Sequence, residues 1–449
     1  MRKFRLLIFA VLASVSLHAQ ARDRVVAAPP PFIGLGDSLG EGVQSGDAAS
    51  QTQVHGYLTL IGQQMGVSFP LPLIRTGLFG IVGNTFERSR IDPSLPASNL
   101  AVSGADSASI LNDQAGTPIV SETDLVLEPR TGSQISIAES LRSPFTICWI
   151  GSNDVLGAIL DFDQLNPTQI AAQITPTSVF QSNYAQITSR LGALGGKLVF
   201  ANIPDVTQIA FLFSPQDLIA FLGSDYGLPN GSYTSVVAML LIKLGLDDGS
   251  ILQNPDWVLD PSEIQTLEQS ITAFNQIIAA DAAQVGAPVV DANALFNSYM
   301  QNPVVMGGIT LTRQYLGGLF SLDGVHPSDI GYALVANAFI QKIDSFYRMN
   351  IPTLSATQLN TIFKADPFID FNHNLRVQGR FGVGLVETLA PFLGISGEAP
   401  PAPVSPGVNK ALGELFMQAY FASQGKDPNT KWTEHDAIAA FHQLFKLAK

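Results

Sequence analysis

A single cysteine, Cys148, occurs in 449 residues, so no intrachain disulfide can form whatever the redox state of the compartment. It lies inside the apolar run 145–150 and reads as a small buried hydrophobe of a central strand, not as a reactive thiol. Positive charge is also scarce: 24 Lys and Arg stand against 37 Asp and Glu, a formal net charge of −13. An acidic surface disfavours nucleic acid and anionic membranes as partners and leaves neutral substrates open. Metal-ligand patterns are absent as well. His55, His373, His435 and His442 show no paired spacing suited to zinc. The oxygen-rich stretch 366–374 fails the calcium-loop template, which needs Gly where Leu375 stands and Glu where Phe381 stands. No metal is therefore expected.

Long apolar runs are missing from the body of the chain, so no transmembrane anchor is expected. The one sustained run, 6–17, follows Arg2, Lys3 and Arg5 and precedes Ala19-Gln20-Ala21, which has the small-x-small form of a cleavage site. It is too short to span a bilayer, and no Cys follows it for lipid attachment. The expectation is a secretory signal peptide over residues 1–21, cleaved after Ala21, and a secreted or periplasmic protein.

What is present is organised around residues 32–42. The run Phe32-Ile33-Gly34-Leu35 stops at Gly36-Asp37-Ser38-Leu39-Gly40-Glu41-Gly42, the layout of a strand that ends in a turn exposing a hydroxyl. Glycine permits backbone angles denied to other residues and close approach of a substrate. Ser38 is the candidate nucleophile. The competing reading of the tripeptide is an ordinary βα turn in which Asp37 or Ser38 caps the next helix.

Three further segments have similar endings. Residues 98–105 form a short apolar run closing on Gly104. The run 145–150 is continuously apolar, as in a strand buried on both faces, and ends at Gly151-Ser152-Asn153-Asp154. A helical pattern through Phe180, Tyr184, Ile187 and Leu191 leads to a strand over 197–204. A capping box at Ser262 to Gln265 opens a helix through Leu267, Ile271, Phe274 and Ile278, followed by a strand at 288–291. Leu322-Asp323-Gly324-Val325-His326-Pro327 then precedes a helical pattern containing Tyr332, Phe339 and Ile343. Strand, helix and strand in alternation predict a parallel α/β sheet with helices on both faces.

The expected domain covers residues 22–350. Within it, residues 206–261 are turn-rich and strongly apolar, a helical insertion that reads equally as a lid or acyl-binding wall and as an enlarged helical layer. Residues 351–449 form a C-terminal appendage, with a Pro-rich linker at 394–407 and two helices, the second starting at Thr433.

Ligands of an open parallel sheet bind at the carboxyl ends of its strands, where the Ser38, Gly104 and Asn153 turns would converge. A serine attacking an acyl carbonyl needs a base, an orienter for that base and donors for the oxyanion. His326 can be the base and Asp323 its orienter; Ser38 N–H, Gly104 N–H and the Asn153 amide can be the donors. Asp37 reads as a turn former and Asp154 as a loop ligand.

In these blocks the chain resembles the GDSL-type, or SGNH, serine esterases and lipases. They appear in order as Gly36-Asp37-Ser38-Leu39, Asn99 to Gly104, Gly151-Ser152-Asn153-Asp154 and Asp323-Gly324-Val325-His326-Pro327, within a span of about 32–343. The resemblance implies a three-layer α/β/α flavodoxin-like parallel sheet, no cofactor, and hydrolysis of carboxylic esters through an acyl-enzyme. It implies Ser38 as nucleophile, Gly104 and Asn153 as oxyanion donors, His326 as base and Asp323 as its partner. The substrate would be a small-molecule, lipid or carbohydrate ester. A carbohydrate O-acetylesterase is the alternative, and a non-catalytic envelope binding protein a further one.

Overall fold

The computed structural model describes residues 28–75, 81–82, 85–86, 88–160 and 167–380, with scattered residues from 383 to 440. The expected signal peptide lies outside the described residues, as does most of the Pro-rich linker.

The apolar runs become a parallel sheet. Strand β1 (Ile33–Gly36) pairs with β2 (Phe145–Trp149), β2 with β3 (Lys197–Ala201), and β3 with β4 (Val289–Val290). The registers Leu35↔Cys148 and Cys148↔Phe200 place Cys148 at the centre, fully buried, and burial pushes its thiol up. Residues 98–102 run along the other edge of β1: Gly34 N donates to Ser98 O (3.1 Å), Leu100 N to Gly34 O (2.7 Å) and Val102 N to Gly36 O (3.1 Å). Counted with this segment, the chain order across the sheet is 2-1-3-4-5, the flavodoxin order, and its reversal lies between β1 and β2. Ser38 and Asn153 follow these two strands, so the topology aims both at one crevice.

Helices cover both faces. On one lie α1 (Tyr57–Met65) and α9 (Asp329–Tyr347), joined to β2 through Tyr57, Trp149 and Phe339, whose rings stand 4.8–5.5 Å apart. On the other lie α2 (Gln134–Leu141), α4 (Thr177–Gly192) and α7 (Pro261–Gln284), with Phe180 stacked on Phe274 at 4.1 Å and Tyr184 beside Phe200. The other helices of eight or more residues in the described part of the chain are α3 (Asn153–Leu160), α5 (Pro215–Leu222), α6 (Val236–Lys243), α8 (Ala292–Gln301) and α10 (Ala356–Ala365). Helix α7 is capped two residues before the expected box. Its cap is Asp260, which accepts from Ser262 N and Glu263 N while Glu263 reaches back to Asp260 N. Pro261 decides the position, because proline fits the first helical residue, whose N–H has no partner in any case.

The insertion is built from α5, α6 and an antiparallel pair of Leu212–Phe213 with Thr234–Ser235. Every residue from Val236 to Ile242 is buried, so most of it enlarges a helical layer. The region after residue 350 is joined to the rest: α10 packs on α9, and Asp366, Arg380 and Glu387 hydrogen-bond to residues of the body of the domain.

Candidate active site

The turn after β1 depends on Gly36. Its φ is 150°, and a Cβ there would stand 2.2 Å from Trp149 O, so a side chain meets both backbone strain and a carbonyl that cannot retreat. Gln134 of α2 clamps the same peptide, accepting from Gly36 N (3.0 Å) and donating to Gly36 O (2.9 Å). Asp37 Oδ1 then caps the helical turn Ser38–Glu41 by accepting from Leu39 N (3.0 Å). Its second oxygen is buried with no hydrogen-bond partner among the described residues, and burial pushes the Asp37 carboxyl up to about 7.

Ser38 ends on this turn with its Oγ 2.8 Å from His326 Nε2, and His326 Nδ1 lies 2.7 Å from Asp323 Oδ2. Ionised Asp323 can only accept, so Nδ1 keeps its proton and donates it in a hydrogen bond to the carboxylate, leaving Nε2 as the acceptor for the Ser38 hydroxyl. The carboxylate also accepts from Gly46 N (2.6 Å), Val325 N (2.8 Å) and His326 N (2.8 Å). Burial alone would raise its pKa; facing His326 and these hydrogen bonds outweigh that and hold it below the ordinary carboxylate range. Asp323 and His326 are 0% and 1% exposed, and Ser38 3%. The line from carboxylate to hydroxyl is thus dry and has the geometry of an activated serine.

The expected oxyanion donors divide between two neighbouring cavities. Asn153, the first residue of α3, lines the cleft with Ser38 and His326 and donates from Nδ2 to Ala105 O (2.8 Å). An amide nitrogen carries two hydrogens, so one remains for a ligand. Gly104 (φ 77°) precedes Ala105 and borders an adjoining polar cavity with Ser103, Ser109 and Gln134 rather than the main cleft. The Ser38 and Gly104 N–H groups have no acceptor among the described residues. Asp154 anchors the loop carrying Gly104, accepting from Ser107 N (2.9 Å) and Oγ (2.7 Å).

Several residues of this architecture carry no local signal. Glu41 Oε2 accepts from Ser103 N (2.7 Å) and Oγ (2.6 Å), tying the Ser38 turn to the Gly104 loop, while Asn99 Nδ2 donates to Gly40 O (2.7 Å). Burial, then the neighbouring Glu122, pushes the Glu41 carboxyl well above its ordinary range. Gln134 sits 98 residues from the peptide it clamps. Only Asn99, inside the second block, and Glu41, two residues after the first, have a hint in the sequence.

The cleft above Ser38 is lined mostly by apolar surface. Its walls are Leu156 of α3, Val206 and Ile209 at the start of the insertion, Leu295, Phe296 and Tyr299 of α8, Leu319 and Phe320, and Val335 of α9. Of the insertion only its first residues reach the site. The oxygen-rich stretch near residue 370 serves the backbone: Asp366 accepts from Ile330 N and Phe368 N, and Asp370 from Asn374 N and Leu375 N.

The GDSL-like lipase/acylhydrolase family profile matches residues 33–339. Among solved structures, phospholipase A1 from Streptomyces albidoflavus is similar at 16% identity, over 70% of this chain and 100% of that one, with a TM-score of 0.35. An acetyl xylan esterase from Geobacillus stearothermophilus is similar at 13% identity, over 73% and 98% of the two chains, with a TM-score of 0.34. No curated protein sequence matches the chain. The profile spans more than two thirds of the chain and contains every residue of the site just described, and the chain belongs to the GDSL-like lipase/acylhydrolase family.

Proposed function

We propose that this protein is an exported serine hydrolase that cleaves carboxylic esters of medium or long acyl chains through an acyl-enzyme. The observation that carries the reading is the unbroken hydrogen-bonded line Asp323–His326–Ser38 opening into an apolar cleft. Ser38 Oγ bonds to the ester carbonyl carbon as its proton passes to His326 Nε2, and the carbonyl electron pair moves onto oxygen. The oxyanion is held by Ser38 N–H, Gly104 N–H and the second hydrogen of Asn153 Nδ2. Collapse breaks the bond to the alcohol, which takes the proton from Nε2. Water, deprotonated by the same nitrogen, then releases the acid and restores Ser38.

The acyl group is assigned to the cleft because aliphatic walls stabilise a chain by about 0.8 kcal/mol per buried CH₂. A shallow, aromatic-lined groove would have favoured acetylated carbohydrate. Here the aliphatic side chains of Leu39, Leu156, Val206, Ile209, Leu295, Leu319, Val325 and Val335 outnumber the aromatic ones of Trp149, Phe296, Tyr299 and Phe320 in the lining. Among the described residues no helix is long and apolar enough to cross a membrane; export itself rests on the N-terminal sequence.

The test compares p-nitrophenyl esters from acetate to palmitate with the wild type and a folded Ser38→Ala variant. Turnover by the wild type alone, with kcat/KM rising from acetate to octanoate or beyond, is expected. Preference for acetate would refute the acyl-chain assignment, and equal turnover by the variant would refute the nucleophile.

A further inference from the structure

We propose that the C-terminal region acts on the reaction through Glu387 and Arg380, positioning residues that fix the loop carrying Asp323 and His326. The inference rests on the reading of Ser38, His326 and Asp323 as the reacting line. Its key is the tight turn 44–47, closed by Gln44 N to Asp47 O and Asp47 N to Gln44 O, both 3.1 Å. Gly46 N of that turn donates to Asp323 Oδ2, the same oxygen that receives His326 Nδ1. Where the turn sits therefore determines where that oxygen sits.

Ser45 holds the turn from both sides. It adopts φ 54°, a left-handed conformation uncommon for a residue with a side chain and maintained only where surrounding contacts over-determine it. Its N–H donates to Ser321 Oγ (2.9 Å), and its Oγ accepts from Leu322 N (3.3 Å), the residue before Asp323. The same Oγ donates to Glu387 Oε1 (2.9 Å), 342 positions away, and Glu387 Oε2 accepts from Arg380 N (2.9 Å). Glu387 is 2% exposed; a carboxyl group so deeply buried is retained only with hydrogen-bond partners, and these are the turn and Arg380.

Arg380 grips the other end of the loop. Its Nη2 reaches both oxygens of Asp329 (2.8 and 2.7 Å), in the first turn of α9 three residues after His326. Asp329 Oδ1 also accepts from Gln44 Nε2 (2.9 Å), which donates in addition to Pro327 O (3.3 Å), adjacent to His326. Glu387 and Arg380 thus brace the turn and the histidine loop from behind. Neither lines the cleft, so their loss should change the rate of the chemical step and not the fit of the ester.

The experiment uses the full chain and p-nitrophenyl butyrate, with active sites titrated by an alkyl fluorophosphonate. Glu387→Ala and Arg380→Ala are expected to lower kcat per titrated site about tenfold with KM within twofold. Glu387→Gln, whose amide oxygen still accepts from Ser45, recovers most of that loss. A purely structural role would reduce the titre and leave kcat per titrated site at the wild-type value, overturning the proposal. Should the alanine variants not fold, Ser45→Gly decides: glycine accepts the left-handed φ and removes the CH2OH group that links Glu387 to Leu322 N, so kcat should fall similarly, and an unchanged kcat refutes the inference. Ser38→Ala separates the two levels. If it still turns over ester, the reading of the site fails; if it is inactive while these variants match the wild type, only the positioning role fails.

Discussion

Asn153 spends one amide hydrogen on Ala105 O and keeps the other for the cleft, so one side chain both ties down the Gly104 loop and completes the proposed oxyanion site. Asn153→Ala should lower kcat by about 10²–10³ with a smaller change in KM, the range for loss of one oxyanion donor; steady-state kinetics on a p-nitrophenyl ester measures it, and a change confined to KM would contradict the role. Asp37 makes a different prediction, in stability. Burial holds its folded pKa at about 7, above the ordinary carboxyl value of 3.8, so between these values the native state keeps a proton that the unfolded chain releases. Stability from this group therefore falls as pH rises through that window, and above it the buried carboxylate is fully unfavourable. Asp37→Asn, which retains a capping oxygen, should be more stable than the wild type at pH 8 by up to about 4 kcal/mol. The difference should vanish near pH 4. Denaturant unfolding at both pH values checks it, and a variant less stable at pH 8 would contradict it.

At the scale of elements, the β1 turn is the most constrained piece of backbone. Gly36→Ala sets a Cβ against Trp149 O and demands a φ unfavourable for alanine; a loss of about 2–4 kcal/mol is expected, with reduced kcat in whatever remains folded. Chemical denaturation measures the first effect, and a neutral outcome would mean that the turn relaxes freely. This element was legible in the sequence because its meaning is local: an apolar run, then glycines around a serine. The blocks ending in Asn153 and His326 were legible for the same reason. The cap of α7 was placed at Ser262 although Asp260 fills it, because both residue types suit a cap and only the chain path with Pro261 chooses between them. Gln134, Ser45 and Glu387 were illegible, since each is an ordinary polar residue whose partner is supplied by the fold.

For the whole molecule, the flavodoxin strand order brings Ser38 and Asn153 to one crevice, while α3, α8, α9 and the start of the insertion roof it with apolar side chains. That roof could not be read from composition, because Leu156, Leu295, Phe296, Tyr299 and Val335 belong to helices whose periodicity indicates only a buried face, and Ile209, Leu319 and Phe320 lie in connecting segments. The sequence reads the C-terminal region as an appendage without naming its contacts for a similar reason: Arg380 and Glu387 are charged residues in turn-rich sequence, and their partners Asp329 and Ser45 are supplied by the fold.

The most direct measurement is covalent. The intact protein is treated with a long-chain alkyl fluorophosphonate, digested, and the modified peptide mapped by mass spectrometry, with His326→Ala run in parallel. A single adduct on Ser38, formed at least a hundredfold more slowly in the histidine variant, is the predicted result. An adduct on another residue, or the same rate without His326, would contradict the account.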